Sequence, residues 1–106
     1  MEQAYFCAKC KSGKTNPEKA TELARKLGYR LWIPNKEIKS YFPKGAMACR
    51  EAIDESGIVI CQPPIGRDCA WELGYATAKN KPIYILGKLD QDDWMTKLGE
   101  ITYVEN

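Results

Sequence analysis

The residues best suited to chemistry stand in one stretch, Gly66-Arg-Asp-Cys-Ala-Trp-Glu-Leu-Gly-Tyr-Ala76. If Asp68 begins a helix, Glu72 follows one turn later on the same face, and both carboxylates point toward one site. A helix N-terminus favours negative charge, which predicts a Glu72 that is ionised at neutral pH. An ionised carboxylate can attack an anomeric carbon and form a glycosyl-enzyme ester, as in retaining glycosidases. Gly74 carries no side chain and leaves room for another backbone or a ligand. Each residue also has a purely structural reading. Asp68 can be an N-cap, and Glu72 can be a solvated helix residue. Trp71 and Tyr75 read best as core or interface aromatics.

A second candidate is the loop Lys9-Cys-Lys-Ser-Gly-Lys-Thr15, with three lysines, one glycine and two hydroxyls. It lies between a strand-like and a helix-like segment. Backbone N–H groups at a helix start favour an anion, and Ser12, Gly13 and Lys14 can cradle a phosphate. A solvated basic turn is the alternative. Gly13-Lys14-Thr15 also nearly matches a nucleotide triphosphatase loop. That motif needs a glycine where Ala8 stands, and a helix starting at the lysine rather than at Asn16-Pro17.

Five cysteines, an odd number, point to reduced thiols in a cytoplasm. Cys7-x-x-Cys10 resembles half a zinc site. There is no histidine and no second Cys-x-x-Cys to complete it, so no metal is expected. The chain of 106 residues fits one domain, residues 1–106. A net charge of +2 is too small to argue for nucleic acid or a membrane surface. No apolar run approaches a membrane span, and Met1-Glu2-Gln3 does not open a signal peptide.

The elements that must position these groups alternate. Ala4 to Ala8 reads as a buried strand. Asn16 as N-cap and Pro17 at the first helical position start a helix with an apolar face of Ala20, Leu23, Ala24 and Leu27, ended by Gly28. Tyr29 to Ile33 is a second strand, and residues 35–44 read as a polar loop. A helix from Ala46 to Ser56, closed by Gly57, precedes an apolar strand at Ile58 to Cys61. Pro63-Pro64-Ile65-Gly66 is a loop, followed by a helix from Asp68 to Lys79 and a strand from Pro82 to Leu86. A short helix at Asp92 to Leu98 and a strand at Ile101 to Val104 close the chain. Strands separated by helices imply an α/β fold with a parallel sheet and helices on both faces. Ligands of such sheets sit outside the carboxyl ends of the strands, where Lys9–Thr15 and Gln62–Arg67 should meet.

Two segments then resemble a known family. Trp71-Glu-Leu-Gly-Tyr-Ala-Thr-Ala-Lys-Asn-Lys-Pro-Ile83 is similar to the signature of the nucleoside 2-deoxyribosyltransferases, in which the glutamate before Leu-Gly is the nucleophile. Tyr5-Phe-Cys-Ala-Lys-Cys-Lys-Ser-Gly-Lys14 resembles the first strand and loop of the 2'-deoxynucleoside 5'-monophosphate N-hydrolases, where the loop surrounds sugar and phosphate. Gln62-Pro63 resembles the same branch. The resemblance implies a three-layer, five-stranded parallel sheet of flavodoxin-like order 2-1-3-4-5, and a homodimer or larger assembly. It implies a small nucleoside or nucleotide as substrate, without metal or organic cofactor and without a nucleic-acid polymer or membrane as partner. Glu72 becomes the nucleophile and Asp68 its partner, with Tyr5 and Lys9 around the sugar, Ser12, Gly13 and Lys14 around the phosphate, and Gly66 as a further substrate-binding residue.

The sequence departs from the family in three places. Cys49 stands where the family carries an aspartate that assists the leaving base. Asp54 and Asp68 are the available substitutes, and Asp68 shares a face with Glu72. The loop before Glu72 is longer than in the hydrolases, with Arg67 extra. Asp93-Trp94-Met95 aligns with a segment that reaches across a subunit interface in the family. Hydrolases place a phosphate-binding serine there. Asp93 would repel a phosphate and accept from a 5'-hydroxyl, and Met95 would line the same site. The implied activity is N-glycosidic hydrolysis of a nucleoside 5'-monophosphate, with base exchange and non-catalytic nucleotide binding as the alternatives.

Overall fold

The computed structural model describes residues 1–9, 16–38, 44–89 and 99–105. Five strands form one sheet: β1 (Glu2–Ala8), β2 (Tyr29–Trp32), β3 (Ser56–Gln62), β4 (Ile83–Leu86) and β5 (Ile101–Val104). All neighbours pair in parallel, in the order β2-β1-β3-β4-β5. The helices are α1 (Glu18–Lys26), α2 (Pro34–Glu37), α3 (Lys44–Glu55) and α4 (Arg67–Ala78). This is the α/β architecture that the pattern of elements implied and the strand order that the resemblance implied.

Strand alternation divides the core in two. Tyr5, Cys7, Val59, Cys61, Ile83 and Ile85 face one side and pack against Ala52 and Ile53 of α3 and Cys69 and Ala76 of α4. Ala4, Phe6, Ala8, Ile58, Ile60 and Leu86 face the other side and pack against Ala20 and Ala24 of α1. Both faces of the central strands are therefore covered, which is why they read as unbroken apolar runs.

The boundaries correct several expectations. Helix α1 starts at Glu18 with Pro17, not Asn16, as its N-cap, and Asn16 sits one residue further out, where its Oδ1 accepts the Glu18 backbone N–H at 3.0 Å. Gly28 follows the helix at φ 88°, as a left-handed terminator should. Leu27, assigned to the apolar face, is instead exposed. Pro34–Glu37 is a helical turn rather than loop, with the proline at its start. Helix α3 runs from Lys44 to Glu55, and Ser56 and Gly57 already belong to β3.

No glycine closes α3, because side chains do the work. The Ser56 hydroxyl donates to the Ala52 carbonyl at 2.6 Å, and the Gln3 amide donates to the same carbonyl at 3.1 Å. Gly57 serves a different end. A Cβ there would lie 2.9 Å from Cε1 of Tyr29, so the glycine admits that ring. The helix expected at Asp92 to Leu98 lies outside the described residues. Among the described residues no helix is long and apolar enough to cross a membrane.

Phe6 is 1% exposed at the centre of the sheet. Phe6→Ala is expected to cost about 3–5 kcal/mol in denaturant unfolding, whereas a change at the half-exposed Met47, to Ala, should stay within about 0.5 kcal/mol.

Candidate active site

Helix α4 leaves the carboxyl end of β3 through a loop that contains a cis Pro63-Pro64 bond. Gly66, in extended conformation, is its N-cap and makes no side-chain cap bond. Asp68 is therefore a first-turn residue and not the N-cap, and it is exposed. The inner stripe of the helix is Cys69, Glu72, Leu73 and Ala76, at spacing i, i+3, i+4, i+7. Glu72 thus occupies a core-facing position where an apolar residue is the rule, and it is half-buried.

The sheet beneath supplies its partners. The Tyr5 hydroxyl donates to Glu72 Oε2 in a short hydrogen bond. The Cys7 thiol lies 3.6 Å from Glu72 Oε1 and 3.6 Å from the Cys69 carbonyl. Tyr5 and Cys7 are two apart on β1, so both project to the same face. The Tyr5 ring stacks on Trp32 of β2, with centroids 5.4 Å apart and planes at 20°. The carboxylate is therefore held by a ring that is itself fixed by a second ring.

Burial sets the electrostatics. It pushes the Glu72 carboxyl above its ordinary value, and the Asp68 charge adds to this. Hydrogen bonds from Tyr5, Cys7 and Cys49 oppose it without cancelling it. The expectation that the helix N-terminus would lower this pKa is overturned. Glu72 is the sixth residue of α4, and the dipole acts mainly within the first turn. The Tyr5 phenol is pushed far above its ordinary range, first by burial and then by the Glu72 charge. Cys69 is pulled down to about 7, chiefly by hydrogen bonding with Cys7. Cys7 is pushed up, chiefly by hydrogen bonding with Cys61 and Cys69.

The remaining residues sort by position. Lys9 meets Gly66: a Cβ on Gly66 would lie 3.7 Å from the Lys9 stem, so the two loops meet there as expected. Ser12, Gly13, Lys14, Asp93 and Met95 lie outside the described residues. Gly74 faces open space, with nothing within 4 Å of a built Cβ, so no part of the described chain makes the close approach expected there. Trp71 is 82% exposed, which removes the core reading for it. Tyr75 is half-buried against the core and donates to Asp54 Oδ1 at 2.6 Å.

No protein-family model matches the chain, and no curated protein does. Solved structures do. A CMP N-glycosidase, BcmB, from Clostridium botulinum superimposes with a TM-score of 0.70 at 18% identity, over 99% of this chain and 89% of that one. A 2-deoxyribosyltransferase from Bacillus psychrosaccharolyticus gives 0.67 at 19% identity, over 98% and 86%. A 2-deoxyribosyltransferase from Leishmania mexicana gives 0.64 at 19%, over 92% and 70%. The chain has the nucleoside 2-deoxyribosyltransferase fold.

On that fold Cys49 takes on weight. Its thiol is within hydrogen-bonding reach of both Glu72 and Tyr5. The position where the resemblance calls for an aspartate is thus beside the carboxylate, but holds a weaker acid. Of the two substitutes, Asp54 is one residue from the end of α3, at the amino edge of the sheet, and is engaged by Tyr75. Asp68, at the carboxyl edge, is the one whose charge reaches Glu72. Sequence reasoning missed Cys7, Cys69 and Trp32 as neighbours. Spacing held a signal for the first two: Tyr5 and Cys7 alternate on one strand, and Cys69 and Glu72 are one turn apart. Gln62, in the loop expected at the mouth of the sheet, has a buried Oε1 with no hydrogen-bond partner among the described residues.

A carboxyl with a raised pKa binds its proton more tightly in the folded chain than in the unfolded one. Its ionised form therefore costs stability above the folded pKa, and the cost vanishes below the unfolded value of about 4.3. Glu72→Gln should raise the thermal midpoint at pH 7, and the gain should shrink to nothing as pH falls below about 4. Melting curves across pH read this directly.

Proposed function

We propose that the protein hydrolyses the N-glycosidic bond of a nucleoside 5'-monophosphate or a close relative, with Glu72 as nucleophile. The observation that carries this reading is a carboxylate on the sheet-facing stripe of α4, half-buried and hydrogen-bonded by Tyr5. A free surface glutamate would not be so held. One carboxylate oxygen attacks C1', the base departs, and water then cleaves the glycosyl ester. Burial makes the carboxylate more basic, and the Tyr5 hydroxyl fixes its direction. Asp68 donates a proton to the leaving base or orients the water.

Lys9 and Gly66 line the substrate pocket, Ser12, Gly13 and Lys14 hold the phosphate, and Tyr5, which is fully buried, acts on the carboxylate rather than lining the sugar. Gln62 Oε1, without a hydrogen-bond partner among the described residues, offers an acceptor to a substrate hydroxyl or amine. The similarity to a CMP N-glycosidase supports base release from a nucleotide. The chemistry needs no metal or organic cofactor. A homo-oligomer in which Asp93-Trp94-Met95 reaches the neighbouring copy suits the exposed Trp71 of α4. Reduced thiols suit a cytoplasm, and no disulfide joins the described cysteines.

Base exchange is the second reading. It is favoured by Asp93, which suits a 5'-hydroxyl better than a phosphate, and by the similarity to two 2-deoxyribosyltransferases. Cys49 in place of an aspartate favours the third, binding without turnover.

A panel of ribo- and deoxynucleosides and their monophosphates, followed by chromatography for free base, separates the three. Hydrolysis releases base and makes no new nucleoside when a second base is added, exchange makes one, and a binding module does neither. Glu72→Ala should lower turnover by about 10³-fold or more, and base release at the wild-type rate would end the proposal. The acid limb of kcat/KM should lie above the ordinary glutamate value of about 4.3. Tyr5→Phe removes a hydrogen bond that lowers the Glu72 pKa, so the limb should move further up.

A further inference from the structure

Thiols crowd the sheet face beneath Glu72, and the chemistry proposed above uses none of them. Cys7 Sγ, Cys69 Sγ and a Glu72 carboxylate oxygen all lie within 4.8 Å of one another. Cys7 is fully buried and Cys69 is 2% exposed. Helix α4 puts Cys69 and Glu72 on one face, three residues apart, and β1 brings Cys7 up from below. As small apolar fillers, buried cysteines have no need of a carboxylate between them.

The spacing fits a tetrahedral ion. A zinc–sulfur bond of about 2.3 Å and a zinc–oxygen bond of about 2.1 Å, opened to the tetrahedral angle, give an S···O edge of about 3.6 Å. Cys7 Sγ and Glu72 Oε1 are 3.6 Å apart. The corresponding S···S edge is about 3.8 Å, so the group must close by about 1 Å at most. A strand and a helix already packed together can supply that. The three donors also come from two elements rather than one loop, so the ligand set is pre-assembled by the fold.

We propose that Cys7, Cys69 and Glu72 bind a thiophilic divalent cation, zinc or cadmium, and that occupancy blocks the site by taking Glu72 Oε1 as a ligand. The two thiol protons pass to solvent, two metal–sulfur bonds and one metal–oxygen bond form, and no electrons are transferred. Tyr5 keeps its hydrogen bond to the other carboxylate oxygen. The donor set differs from the Cys7-x-x-Cys10 pair that the sequence displays: it uses Cys7 but takes its second sulfur from α4. The blocking half rests on the reading of Glu72 as nucleophile, and the binding half does not.

The test uses the reduced full chain, titrated with cadmium and followed by the thiolate-to-cadmium ultraviolet band. One ion per chain is expected, with the band kept in C10S, lost in C69S, and affinity reduced at least about ten-fold in Glu72→Gln. X-ray absorption of the zinc-loaded wild type needs no variant to fold, and should show two sulfur neighbours with oxygen completing the shell. A shell of oxygen and nitrogen alone overturns the site. So does a band that survives in C69S but disappears in C10S, which puts the ion on Cys7-x-x-Cys10. Base release is read separately. If metal-free protein releases no base, the nucleophile reading fails while the spectra still decide the binding.

Discussion

A charged oxygen held against an apolar helix stripe is the constraint around which this site is built. Putting a carboxylate on the inner face of α4 is unfavourable unless its lone pairs find donors. The Tyr5 hydroxyl, the Cys7 thiol and Cys49 provide them, and burial still leaves the Glu72 carboxyl with a raised pKa. The tyrosine is fixed in turn by burial and by the Trp32 ring, so the donor cannot swing away. Each partner therefore answers a need created by the one before it. Such an arrangement trades stability for a poised group, a common pattern at functional sites.

Much of this was legible in the sequence, for reasons that can be named. Parallel strands buried on both faces must be apolar runs, and β1 and β3 announce themselves that way. Asn16, whose side chain takes the first helical N–H, and Gly28 mark the helix ends to within a residue because turn chemistry is local. What failed was non-local. Gly57 read as a helix terminator, but its absent side chain serves the ring of Tyr29, which is distant in sequence. The end of α3 is sealed by Gln3 and Ser56, and no rule of local spacing reveals a glutamine from another strand. The Glu72 pKa failed in the same way. The helix dipole acts mainly on the first turn, whereas the larger influence on Glu72 is desolvation by burial.

The site itself was half legible. The i, i+4 relation of Asp68 and Glu72 could be read from spacing, and the fold keeps both at the carboxyl edge. The exposure of one and the burial of the other could not, because both depend on how α4 is rotated against the sheet. That rotation is written in the stripe Cys69, Glu72, Leu73, Ala76, which becomes obvious once a glutamate is allowed on an apolar face. The same rotation turns Trp71 outward and leaves Gly74 without a close neighbour among the described residues.

Strand β1 pairs on both flanks, with β2 and with β3. Strands hydrogen-bonded on both edges and buried on both faces exchange their amides only when the whole chain opens. Tyr5 and Cys7 stand on that strand, so the groups that orient the carboxylate belong to the slowest-opening part of the molecule. The contacts that hold the Glu72 carboxylate are therefore among the last in the chain to loosen.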